Sequence, residues 1–367
     1  MSRYRYLPDT RPYPAEPVRR DLLMHAVQAA GGGAQAKIAA EALRAQIYGM
    51  LSQDFYLNLS VALSMAPNED ACRQIMAAVN DVLHAKTDDE VQWFALPVVM
   101  VAGCKKAAAL PAAAPAPELC ACLANYPHTR PFSRAVWLPR LITAGQMSEI
   151  NAGQWFKAKQ NTEAAAGFAA SLPQTEQLPL VEGQSVSVAY ALGYGGLELV
   201  PALGKNLQDA ALPLMQVWLE ALKTPGVTLF ANPLPPDNPA AALIEAGHMR
   251  LRMALDVFAG NAIRAIRMQS PRVGVVMAAQ EGGRLMFGFN ATESQFDVQP
   301  QVFSWPLSPT DKIETVQQNF IDLLVECQVE NIRLLHDPVG ENEELPSYPQ
   351  ALRLPGHNPL YGDGGES

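Results

Sequence analysis

Apolar residues recur along this chain at two spacings, and each spacing predicts an element. Ile75, Val79, Val82 and Leu83 step by threes and fours, the period of a helix face. Pro67, Asn68, Glu69 and Asp70 precede them as a cap and first-turn acids. A longer stripe, Ile244, His248, Leu251, Leu255, Phe258, Ala262 and Ile266, follows the helix start Asn238-Pro239 and predicts one helix from 239 to about 269. A period of two marks strands. Residues 185–192 alternate between Gly183 and Gly193 and predict a strand. Residues 272–279 and 284–290 flank Gln280-Glu281-Gly282-Gly283, whose glycines supply the positive φ of a hairpin. A short strand at 301–305 follows. Ile313, Val316, Phe320, Leu323 and Cys327 then form a helix face, with Asp311 and Glu314 spaced as a capping box, before a last strand at 331–336.

Elsewhere the pattern competes with itself. Leu43, Ile47, Met50, Leu57, Val61 and Met65 fit a helical stripe, yet Leu57, Leu59, Val61, Leu63 and Met65 also alternate. Leu, Met, Ala and Gln outnumber β-branched residues there, which favours helix. Residues 91–101 are apolar on both faces, as in a buried strand, but Pro97 assigns that strand to an edge or a bulge. The Ala/Pro stretch 107–117 reads as a loop, 232–237 as a rigid turn, and helices are expected at 118–125, 132–144, 147–170 and 209–223. Together these predict a helix-rich α+β fold: an extended arm at 1–19, a mainly helical domain at 20–172, an α+β domain at 173–336, and an acidic Pro/Gly-rich tail at 337–367. The α+β part carries the hairpin 272–290 in a small mixed or antiparallel sheet covered by helices.

Composition narrows the partners. Charged residues make up 17% of the chain, against about 25% in ordinary globular proteins. So low a charge fraction suits a protein partner or self-association, or simply a large buried core. The net charge of −9 gives no general attraction to phosphate backbones, which disfavours nucleic acid. The N-terminus lacks the apolar core of a secretory signal. The longest apolar run, 93–103, is shorter than the ~20 residues of a membrane span. Five cysteines, an odd number without regular spacing, suit a reducing compartment. The chain is therefore expected in the cytoplasm.

Candidate chemistry is sparse. Cys120 and Cys122, with His128 and Cys104, form the densest Cys/His group, but a one-residue gap on a helix turns two sulfurs about 200° apart. They read as ordinary thiols, with no metal and no cofactor implied. Gly193-Tyr194-Gly195-Gly196 follows a strand, yet it matches neither a dinucleotide nor a P-loop fingerprint and reads as a turn or bulge. Arg250, Arg252, Arg264, Arg267 and Arg272 cluster in an acidic chain. On a helix Arg250 and Arg264 lie about 40° apart, a stripe able to bind an anion or an acidic partner, or simply to face water. No nucleophile sits in a recognisable motif, and His248, on its apolar stripe, reads as a core residue. Trp137, Trp155, Phe156 and Trp218 read as core packing.

Two classes of function remain. One is a non-catalytic interaction protein, an adaptor or assembly component using the arm, the tail and the low-charge surface. The other is an enzyme, or a small-molecule or anion-binding protein, with a site at the 193–196 turn and the 250–267 helix, on Arg250, Arg264, Arg267, Gly195 and Gly196. Missing motifs tip the reading toward the first.

Overall fold

The computed structural model describes residues 16–53, 55–173, 175–207, 209–280, 284–292, 300–307, 311–329 and 331–335. These form two compact units: a larger one of residues 16–65 and 73–253, and a smaller one of 66–72 and 254–335. The fold is α+β, with N-terminal helices followed by sheets with helices and a mixed four-stranded sheet at the end. No helix among the described residues is long and apolar enough to cross a membrane.

In the larger unit α1 (Glu16–Ala30) begins inside the stretch read as an arm. It is followed by α2 (Gly33–Ser52), which buries Ala36, Ala39, Leu43, Ile47 and Met50 on one face. The ambiguous segment is helical, as α3 (Tyr56–Ser64), with Leu59 and Ala62 buried. Next, α4 (Glu69–Leu83), whose residues up to Cys72 belong to the smaller unit, starts where expected: the Asn68 side chain accepts the Ala71 N–H at 2.8 Å.

The apolar run becomes β1 (Gln92–Cys104), and it is central rather than an edge. Further along lies β2 (Ala108–Pro111), where a loop was expected, and then α5 (Ala116–Ala124), the helix expected at 118–125 begun two residues earlier. The helix expected at 132–144 is absent. A 3-10 turn at Arg130–Arg134 leads instead to β3 (Val136–Trp137) and β4 (Ile142–Thr143). Pro131 and Pro139 disfavour a continuous helix here, and the sheet takes up the backbone bonds of Val136 and Trp137. The single helix expected at 147–170 is three: α6 (Ala144–Glu149), α7 (Ala152–Ala158) and α8 (Thr162–Ser171). Thr143, Asn151 and Asn161 cap them in turn, the first two in capping boxes with Gln146 and Gln154.

After β5 (Gln177–Leu180), which pairs antiparallel with β2, comes β6 (Gly183–Gly195), longer at both ends than the alternation implied. Then come α9 (Ala211–Ala221), the unanticipated β7 (Val227–Pro233), and α10 (Pro239–Arg267). Asn238 caps α10 by accepting the N–H groups of Ala240 and Ala241, both at 3.1 Å.

Among the described residues the main sheet runs β3-β6-β1-β7, with β4 also on β6, every pair antiparallel. Pro97 is tolerated in the central strand because of where its ring falls. Its carbonyl accepts the Leu234 N–H at 2.9 Å, one residue beyond the last β7 pair. The missing donor thus faces the end of β7, and the ladder to β6 on the other side is unbroken. On one face of β1, Phe94, Leu96, Val98, Met100 and Ala102 join Leu119, Leu214 and Trp218 in a continuous core. On the other, Trp93 packs against Trp155, Phe168 and Tyr194.

The smaller unit holds residues 254–267 of α10, then the expected hairpin strands β8 (Val273–Gln280) and β9 (Arg284–Ala291), whose turn lies outside the described residues. After them come β10 (Gln301–Pro306), α11 (Ile313–Glu326) and β11 (Asn331–Leu334). The order is β10-β9-β8-β11, with β11 parallel to β8. Phe258 of α10 and Phe320 of α11 both meet Phe289 edge to face, with Phe287 and Phe303 beside them. The expected capping box at Asp311 and Glu314 is not formed. The cap position is Lys312, and no side chain caps it.

Candidate functional site

Among the described residues, the main sheet is left bare on one face at one end of the larger unit. Cross-strand partners share a face, so Val101 stands with Phe230 and Val186, and Gly103 with Thr228 and Gln184. This is the face that Trp93 occupies further back. Every residue from Gln92 to Met100 is buried, whereas Val101 and Gly103 are half-buried, Thr228 is exposed and Phe230 is 50% exposed. The aromatic cover from α7 and α8 lies over Trp93, and the last turns of the sheet open into a cleft of about 930 Å³.

Glycines make the floor of this cleft. A Cβ built on Gly103, Gly183 or Gly226 would meet no atom within 4 Å. At Gly183 and Gly226 the positive φ of 96° and 75° also needs glycine. Lys105 and Lys106, both exposed, are the charged residues among those lining the cleft. Cys104, at its inner edge, donates its thiol to the Val181 carbonyl at 2.9 Å.

At the opposite end of β1 sits a buried polar cluster. Lys159, 2% exposed, pairs with Glu90 at 3.0 Å and donates to the His84 carbonyl at 2.9 Å. Burial pulls the Lys159 ammonium below its ordinary value, against the pull of Glu90. Burial alone would raise the Glu90 carboxyl, but the Lys86 N–H and the Lys159 ammonium hold it low. Burial also lowers the His84 imidazole, although Asp237 and Asp81 draw it back up. It raises Asp237, which takes the Asn238 N–H at 2.7 Å. Among the described residues the His84 Nε2 and the Asn80 Oδ1 are buried without a hydrogen-bond partner. Gln92 closes the cluster by accepting the Ala85 N–H and donating to the Trp93 carbonyl. These contacts tie α4, β1 and α7 together.

No protein-family model, curated protein or solved structure matches the chain.

The residues singled out from sequence fall elsewhere. Gly195 ends β6, paired with Gln92, and Gly196 is extended, so neither forms a flexible turn. The Leu199 side chain would lie 2.9 Å from a Cβ on Gly195, and the Glu198 carboxylate 2.5 Å from one on Gly196. Packing and a negative charge therefore fill the space an anion would need. Arg250 is exposed in the larger unit, close enough to Tyr190 to counter slightly the burial that pushes its phenol to about 12. Arg267, in the smaller unit, donates to the carbonyls of Cys327 and Gln328 at 2.9 and 3.0 Å, which satisfies the C-terminus of α11. Only Arg264 shares its surroundings, a shallow hollow of about 470 Å³ beside Met268 and Cys327.

Burial raises the thiols of Cys120 and Cys122, which disfavours thiolates. Among the described residues no three His, Cys, Asp or Glu side chains gather as a metal site. Trp155, Phe156 and Trp218 are buried in the core, and Trp137 meets Phe94 edge to face. The arm before residue 16 and the tail beyond 336 lie outside the described residues.

Sequence reasoning missed the cleft because three separate segments build it. One signal was available: Val227-Thr228-Leu229-Phe230, a β-forming run behind Gly226.

Proposed function

We propose that this chain is a non-catalytic interaction protein of the cytoplasm, an adaptor or assembly component, and that the open cleft on its main sheet receives a protein partner. The observation that carries the reading is Phe230, a half-exposed aromatic on a bare sheet face beside two lysines. An apolar centre with a polar rim is the anatomy of a protein interface, and aromatic residues supply its anchors. The cleft is also open. Sites for small molecules enclose most of their ligand, which a shallow face with Phe230 half in solvent does not do. All five cysteines are free thiols, in keeping with a reducing compartment. An anion site on Arg250, Arg264, Arg267, Gly195 and Gly196 has less support, since Arg267 is engaged by two carbonyls and Glu198 covers Gly196.

Photocrosslinking in the source cells tests the reading. A benzophenone amino acid at position 230 should give a discrete adduct to another protein. The same group at position 212, exposed on α9, should not. No protein adduct at 230 would refute the proposal, and an adduct of twice the chain's mass would assign the cleft to self-association instead.

A further inference from the structure

Resting on that reading, we propose that the segment held in the cleft is an acidic stretch of the partner chain bearing at least one large apolar side chain. Three observations converge on this chemistry. First, the cleft reverses the sign of the molecule. The chain carries 36 acidic and 27 basic residues, yet the charges lining the cleft are Lys105 and Lys106. Among the described residues no ion pair involves either lysine. Two adjacent ammonium groups outside any such ion pair favour an acidic ligand, and they repel a basic one.

Second, Val101 and Phe230 face each other across β1 and β7 on the bare side of the sheet. The patch between them can desolvate one apolar side chain. Third, Gly103, Gly183 and Gly226 leave backbone uncovered along the floor, so an incoming main chain can approach closely without meeting side chains. A ligand with backbone, one apolar group and carboxylates satisfies all three features. A polyanion without apolar groups would leave Phe230 in water.

Fluorescence anisotropy with labelled hexapeptides tests the inference on the full chain. One peptide alternates Asp or Glu with Leu and Phe, one replaces its acids with Lys, and one keeps the acids but replaces Leu and Phe with Ser. The first should bind and the other two should not. Binding should weaken about tenfold from about 50 to about 300 mM salt, as screening of exposed charges requires. The double reversal Lys105→Glu with Lys106→Glu should abolish it, and Phe230→Ser should weaken it about tenfold or more. Both changes alter exposed side chains, and unchanged thermal unfolding would show that the fold survives. Equal binding of the basic peptide, or binding that persists through the charge reversal, would overturn the inference. So would displacement of the peptide by dodecanoate retained in native mass spectra, which would assign the cleft to a small amphiphile. A protein adduct from position 230 without acidic-peptide binding would sink this inference and leave the interaction reading standing. Loss of that adduct would sink both.

Discussion

Lys159 shows how much depends on single residues here. Its ammonium is buried against Glu90 and the His84 carbonyl, so removing it strands a largely buried carboxylate. Breaking such a pair from one side costs roughly 3 kcal/mol. Lys159→Met should therefore lower unfolding free energy by about that amount, and the double change Glu90→Gln with Lys159→Met should restore at least half of it. Urea denaturation measures both, and a single change costing under about 1 kcal/mol would mean that the pair is solvated.

His84 makes a second prediction. Burial holds its folded pKa below the ordinary value, so protons bind the unfolded chain more readily. Its stabilising effect is complete well above pH ~6.5 and declines as the pH falls from there toward its folded pKa. Asp237 acts in the opposite sense and at lower pH. Its raised carboxyl favours the folded state as the pH drops toward the ordinary carboxylate range. The melting temperature should fall between about pH 7.5 and 5.5, and His84→Gln should flatten that decline. An unchanged slope in the variant would place the titrating group elsewhere.

At the scale of elements, glycines on two strands of the main sheet behave oppositely. A Cβ on Gly193 of β6 would lie 2.5 Å from the Phe94 ring and 3.1 Å from the Val136 carbonyl, whereas one on Gly103 of β1 meets nothing. Gly193→Ala should destabilise by about 2 kcal/mol through overpacking, while Gly103→Ala should be neutral or slightly stabilising; thermal unfolding of the pair compares them directly. Such contrasts explain what the sequence revealed. Elements whose signal is local were legible: α4 and α10 with their asparagine caps, the β8–β9 hairpin, β6, and the helix face of α11. The starts of α6, α7 and α8 were also written locally, in Thr143-x-x-Gln146, Asn151-x-x-Gln154 and the cap Asn161, yet the stretch read as one helix. The partners of β2 and β1 were not legible. Ala108–Pro111 has little strand propensity and becomes a strand only because Gln177–Leu180 lies alongside. Pro97 sits in a central strand only because β7 stops pairing there.

On the scale of the molecule, the α+β character was legible, but the candidate site was not. Strands β1 and β6 pair along thirteen residues although a long stretch of chain separates Cys104 from Gly183, and no periodicity encodes such a pairing. The cleft arises where that sheet outruns its cover. The polar cluster at the other end of β1 fixes the strand against α4 and α7, so the bare face is held on a rigid element, as a binding surface requires. The measurement that tests this account most directly is the crosslink from position 230 in a Gly103→Phe background, with thermal unfolding followed in parallel. Gly103 has open space above it and no positive φ, so the larger side chain should fill the cleft without strain. The account predicts that the adduct disappears while the melting temperature stays within a few degrees. An adduct of undiminished yield in the filled variant would contradict it.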